Sequence, residues 1–169
     1  RRRNYSRDRF GNAGCRQSDG RTLFLVMNID HTQLLSLVPH RPPILMLDEV
    51  VGIVPGERGT GVRDFKEGDS NFEGHFPGSP ILPGVLTIEA FAQTALVVSV
   101  VDESRENTGA ASGRLAKCSE MAFLEPILPG MKVNFVVEIE RRVGPFVFVN
   151  CTASSGDLKI AAGKLTLKL

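Results

Sequence analysis

Residues 74–101 read GHFPGSPILPGVLTIEAFAQTALVVSVV, and the second half of this stretch decides the architecture. From Val85 to about Val101, apolar side chains fall on nearly every side of a helix: Val85, Leu86, Ile88, Phe91, Ala92, Leu96, Val97 and Val100. A helix apolar all round must be wrapped by other elements. The run is about long enough to raise the question of a membrane span. Glu89 and Gln93 stand inside it, so it predicts a buried helix of a soluble protein without membrane insertion. Just upstream, residues 67–84 form a long loop dense in Gly and Pro, and long loops inside compact domains are usually functional.

Working outward, Asp30–Leu37 reads as a short helix with Asp30 as N-cap, ended by Pro39, Pro42 and Pro43. Ile44–Val54 is a strand candidate stopped by Pro55-Gly56, and Thr60–Lys66 is a weaker one. Beyond a loop at 102–109 the apolar period changes to two. Val133, Phe135, Val137 and Ile139 alternate with Lys132, Asn134, Glu138 and Glu140. Val147, Val149, Cys151 and Ala153 continue the pattern, as do Leu165, Leu167 and Leu169, with turns at Val143–Pro145 and Ser155–Asp157. Half-buried strands around one buried helix give an α+β fold, a single antiparallel sheet packed on one long central helix. The two PILPG segments, Pro80–Gly84 and Pro126–Gly130, lead into a helix and a strand respectively; they mark turns, not a duplication.

The chain of 169 residues is the size of one domain, and its 42% hydrophobic and 23% charged residues are ordinary for a globular protein. Its net charge of +1 gives no pointer to nucleic acid. Residues 1–26 hold seven arginines against Asp8 and Asp19, a net of +5 that leaves −4 for residues 27–169. That segment reads as a disordered basic tail or leader, with Met27 as the natural start; a transit remnant or a genuine basic arm are the alternatives. Cys15, Cys118 and Cys151 are odd in number and widely spaced, so they predict free thiols in a reducing compartment, not a disulfide framework or a zinc site. A cytoplasmic location follows, or an organelle stroma if the tail is a transit remnant.

Three features of 74–93 bear chemistry. His75 lies in a stiff Gly-Pro loop, where an imidazole with a pKa near 6.5 suits proton transfer; a loop histidine satisfied by a carbonyl is the plainer alternative. Glu89 sits inside the apolar helix with Gln93 at i+4 on the same face. Burial there disfavours the carboxylate and makes Glu89 a candidate proton donor, the alternative being a carboxylate that points outward or pairs with an arginine. Gln93 reads as a hydrogen-bond support. Gly84 opens the helix, where free N–H groups and the helix dipole favour an oxyanion, although a plain helix start is the commoner use of Pro-Gly. The combination within so short a stretch is more specific than any part.

This segment resembles the signature of the β-hydroxyacyl-(acyl carrier protein) dehydratases of the FabZ type. The similarity extends to Pro39-His40-Arg41-Pro42 and Leu47-Asp48 upstream, and to Phe123, Pro126 and Pro129-Gly130 downstream. It covers roughly residues 30–169, so that 27–169 reads as the dehydratase domain. The resemblance implies a hot-dog fold, an antiparallel sheet wrapped around one long central helix. It also implies His75 and Glu89 as catalytic residues contributed by different subunits, and Gly84 as the amide that polarises the thioester carbonyl. Phe76, Val85 and Gln93 are the further substrate-binding candidates, and His40-Arg41 is read as structural. Two departures stand out: Arg114-Leu115-Ala116-Lys117 lacks the aromatic gating residue common in the family, and Glu49 replaces a usual basic residue.

The reaction so implied is elimination of water from a (3R)-hydroxyacyl chain on an acyl carrier protein, giving the trans-2-enoyl thioester in fatty-acid synthesis. It calls for no metal and no cofactor. Partners would be the carrier, with Arg105, Arg114, Lys117, Arg141 and Arg142 as docking candidates, and further copies of the chain in a homodimer or trimer of dimers. The rivals are a hot-dog acyl thioesterase, a dehydratase of a specialised lipid or polyene pathway, and a non-catalytic acyl-binding module. A bifunctional dehydratase/isomerase ranks lower, because that relative usually has Asp where Glu89 stands.

Overall fold

The computed structural model describes residues 26–101 and 112–169, together with two short strands near the N-terminus. Those strands, β1 (Tyr5–Arg7) and β2 (Ala13–Cys15), pair antiparallel with each other. The expectation of disorder for the rest of residues 1–25, and the loop read at 102–109, lie outside the described residues.

The domain proper is one antiparallel sheet of seven strands around one long helix. In chain order its elements are β3 (Met27–Ile29), α1 (His31–Leu37), β4 (Glu49–Val54), β5 (Arg58–Asp64), α2 (Gly84–Val100), β6 (Arg114–Phe123), β7 (Lys132–Val143), β8 (Phe146–Ser155) and β9 (Leu158–Lys168). They are ordered β3-β4-β5-β7-β8-β9-β6 across the sheet. The period-two segments form β7, β8 and β9 as read, with Val133, Phe135, Val137, Val147, Val149, Cys151, Ala153, Leu165 and Leu167 all buried. Phe91 of α2 meets Phe135 of β7 edge to face, ring centroids 5.6 Å apart. Such a pair adds about 0.5–1.5 kcal/mol to what its buried area contributes. Burial, with Cys118 as a lesser influence, pushes the Cys151 thiol up to about 12, and both of these cysteines are free.

Two glycines of β5 decide how closely the helix can approach. A Cβ on Gly61 would lie 2.2 Å from Thr94 Oγ1 and 2.8 Å from Leu47 Cδ2, and one on Gly59 would lie 2.7 Å from Val98 Cγ2. Bare backbone at these points lets α2 settle onto the sheet.

Asp30 caps α1 through a capping box with Gln33, as its position suggested. Ile44–Val54 departs from expectation, since the strand begins only at Glu49. The amides of Ile44 and Leu45 both donate to the Arg41 carbonyl, so a turn occupies the start of that segment. Leu45, Met46 and Leu47 are apolar because they enter the core, not because they belong to the ladder.

The helix also departs from its reading. Its C-terminal half is buried from Gln93 to Val98, but Val85, Ile88, Glu89 and Ala92 form a stripe at i, i+3, i+4 and i+7 that no described residue fully covers. Beside this half-open helix, β6 ends the sheet. It is ten residues long, has one edge that no described strand pairs, and is mostly exposed along its length.

Candidate active site

The His75 loop is anchored at its start by charge. Arg63 of β5 donates to Asp48 at 3.0 Å and to Asp69 at 2.8 Å, and Asp48 also accepts from the Asp64 amide at 2.7 Å. Asp69 in turn caps the 3-10 turn Ser70–Phe72 through the Asn71 amide. Burial alone would push the Asp69 carboxyl up. The Asn71 amide, then the Arg63 hydrogen bond and charge, outweigh it and hold the group below its usual value.

Beyond the turn, Gly74 and Gly78 take φ of +79° and +80°, which L side chains rarely adopt. Across this loop Phe76 and Ser79 exchange backbone hydrogen bonds, and the Ile81 amide donates to the His75 carbonyl at 2.9 Å. His75 Nδ1 lies 3.1 Å from the Ile81 carbonyl. A carbonyl can only accept, so Nδ1 carries the proton and Nε2 of the neutral ring is left with its lone pair. That tautomer suits a general base. The Phe76 ring stacks on the imidazole with centroids 4.2 Å apart and is itself largely exposed.

Pro83 leads into α2, and the Leu86 amide makes the helix's first return bond, to the Pro83 carbonyl at 2.9 Å. The Gly84 and Val85 amides precede that bond and belong to the free donors of a helix start. The Phe123 ring of β6 lies over Gly84 so closely that a Cβ there would meet it at 3.0 Å. Val85 is 69% exposed.

Glu89 and Gln93 meet as the i, i+4 spacing predicted: Gln93 Nε2 donates to Glu89 Oε1 at 2.8 Å. Gln93 is only 1% exposed, and both N–H groups and the oxygen of its amide are hydrogen-bonded. Its Nε2 also donates to the Ile44 carbonyl at 2.8 Å, and its Oε1 accepts from the Met46 amide at 2.9 Å. Glu89 itself is less buried than the sequence suggested, with its side chain 30% exposed. The cause is the uncovered stripe of α2 on which it stands.

His40 was read as structural, and it lies in the site. Its Nε2 is 3.3 Å from Glu89 Oε1, and the two line a small recess with Ala92, Gln93, Leu96, Gly113, Leu115 and Leu167. Arg41 keeps the structural role: its guanidinium donates to the carbonyls of Leu35, Val38 and His40, closing the end of α1 and fixing the backbone that carries His40. Leu115 in the recess stands within the stretch that lacks an aromatic.

Within one chain, His75 and Glu89 are held by different partners, and no contact among the described residues joins them. Of the docking candidates, Arg114 and Lys117 lie exposed on β6, Arg141 stacks over Phe148 at 4.3 Å, and Arg142 donates to the Ser99 carbonyl. Arg105 is outside the described residues.

Fold and site together define a hot-dog domain with a small recess on its long helix, where His40, Glu89 and Gln93 meet apolar walls. A dehydratase heterocomplex from Xenorhabdus doucetiae has this fold, with a TM-score of 0.68 at 15% identity over 80% of this chain and 89% of that one. The FabA-like domain family matches residues 38–164. Relatives named 3-hydroxyacyl-[acyl-carrier-protein] dehydratase FabZ include one from Polynucleobacter necessarius, 37% identical over 79% of this chain and 89% of its own. Another, from Granulibacter bethesdensis, is 40% identical over 73% and 68%. The chain belongs to the FabA-like family, on its FabZ dehydratase branch.

Proposed function

We propose that this enzyme dehydrates 3-hydroxyacyl chains carried on an acyl carrier protein, in fatty-acid synthesis. One observation supports the reading above the others: His75 commits Nδ1 to the Ile81 carbonyl and so keeps Nε2 free to accept a proton. His75 Nε2 removes the C2 proton, while the Gly84 amide supports the negative charge that grows on the thioester oxygen. Glu89 gives a proton to the C3 hydroxyl, which leaves as water as the C2–C3 double bond forms. The proton on His75 then passes through solvent to Glu89, and the site is reset.

A complete site draws its histidine and its carboxyl from two copies of the chain. Two surfaces support this. The Val85, Ile88, Glu89, Ala92 stripe is open on α2, and β6 offers a ten-residue edge that no described strand pairs, flanked by exposed Leu115, Phe123 and Leu124. An exposed edge strand is a template for pairing with another chain. Among the described residues no helix is long and apolar enough to cross a membrane, and the cytoplasm is the compartment we assign.

The test is turnover of 3-hydroxyacyl-carrier substrates, followed both by enoyl absorbance and by release of free thiol. Enoyl formation that disappears in His75→Ala supports dehydration. Thiol release without enoyl points to a thioesterase, and wild type that forms neither enoyl nor free thiol while binding the acyl-carrier substrate points to an acyl-binding module.

A further inference from the structure

The carboxyl of Glu89 has two oxygens, and its neighbours treat them differently. Gln93 Nε2 donates to Oε1 at 2.8 Å, and His40 Nε2 faces the same Oε1 at 3.3 Å. No described residue bonds Oε2. From this asymmetry, and resting on the dehydratase reading above, we infer that His40 is a positioning residue for the Glu89 carboxyl: with Gln93 it reserves Oε1 for accepting and leaves Oε2 to carry the transferable proton.

The chemistry follows from the donor count. An oxygen already facing N–H groups from two sides has no room for a proton of its own, so in the neutral acid the hydrogen sits on Oε2. When that proton moves to the leaving hydroxyl, the charge left on the carboxyl meets donors already in place. Hydrogen bonds to an ionised acceptor are roughly twice as strong as those between neutral groups. The two donors therefore stabilise the product of the transfer more than its starting state, and only such a difference lowers a barrier.

The ring is set up for this part. Its Nδ1 is buried and has no hydrogen-bond partner among the described residues. A buried lone pair there costs less than a buried N–H would, so the neutral ring places its hydrogen on Nε2, toward Glu89. Arg41 holds the His40 carbonyl at 2.7 Å and the Val38 carbonyl at 3.0 Å, and thereby fixes the backbone from which the ring projects. At 3.3 Å the contact lies within ion-pair reach and is not yet a formed hydrogen bond, and such contacts commonly tighten when substrate binds.

The experiment compares His40→Ala and His40→Gln with wild type on one 3-hydroxyacyl-carrier substrate, with oligomeric state and melting temperature recorded for each. Gln places an N–H near the position of the imidazole Nε2; Ala places none. The expected result for His40→Ala is a fall in kcat of about 10–100-fold with KM within about threefold, since the lost interaction belongs to the proton-transfer step. His40→Gln should recover at least about fivefold of that loss at an equal melting temperature, because one donor is restored. Three results would overturn the inference: an unchanged kcat in His40→Ala, a loss confined to KM, or His40→Gln no better than His40→Ala while both variants are folded. Wild type making no enoyl product would instead overturn the dehydratase reading itself.

Discussion

Replacing Gln93 by Met keeps the length of the side chain and removes its three hydrogen bonds, so it isolates what the amide contributes. The Met46 amide, buried in the core, loses its only described acceptor. A buried donor left dry costs about 1–3 kcal/mol, and the part-buried Ile44 carbonyl adds about 1 kcal/mol. Release from having to desolvate the amide returns about 1 kcal/mol. The net is a destabilisation of about 1–3 kcal/mol, a shift of about 0.5–1.5 M in the urea midpoint for a slope near 2 kcal/mol/M. Midpoints should be compared at one protein concentration, because assembly shifts them by mass action. Glu89 Oε1 loses a donor in the same variant, so kcat should fall as well. A midpoint within about 0.2 M of wild type would refute the account of Gln93 as the tie between α2 and the 44–46 segment.

Gly61→Val should destabilise the fold by about 1–3 kcal/mol or more, since its Cβ would collide with Thr94 and Leu47 and push α2 off the sheet; urea unfolding checks this, and a neutral result would mean that the helix yields freely. Asp69→Asn should lower stability and loosen the His75 loop at neutral pH by removing the charge that faces Arg63. The sign follows from a carboxyl held below its usual value: its stabilisation is present above the unfolded value and is lost as the pH falls through the folded one. Wild type and variant should therefore differ steadily from neutral pH down to about pH 5 and converge below about pH 4. A gap that stays constant into acid would contradict this.

The buried helix and the period-two strands were legible because burial writes itself directly into periodicity, as Val133–Val137 and Val147–Ala153 illustrate. Ile44–Leu47 misled because a short apolar run looks the same in a strand and in a buried turn. β6 gave no clear pattern: it is an edge strand exposed on both faces, so neither face imposes an apolar alternation. The Glu89–Gln93 pair could be read from helical spacing alone. His40 could not, because its partner lies far along the chain and only the packing of the Val38–Leu47 segment against α2 brings them together. The burial expected for Glu89 failed for a related reason, since the sequence shows an apolar stripe but not which chain covers it. Gly59 and Gly61, at i and i+2 in a strand, carried a readable hint of close approach by another element.

The central claim is that each working site takes His75 from one copy and Glu89 from another, and complementation tests it most directly. Unfolded His75→Ala and Glu89→Ala chains, each inactive alone, are mixed in equal amounts and refolded together. In a twofold assembly, sites shared between copies predict recovery of about a quarter of wild-type turnover, because mixed pairs hold one intact site and one doubly defective site. If the mixture stays as inactive as its components while its mass confirms mixed pairs, His75 and Glu89 act within one chain, and the account is wrong.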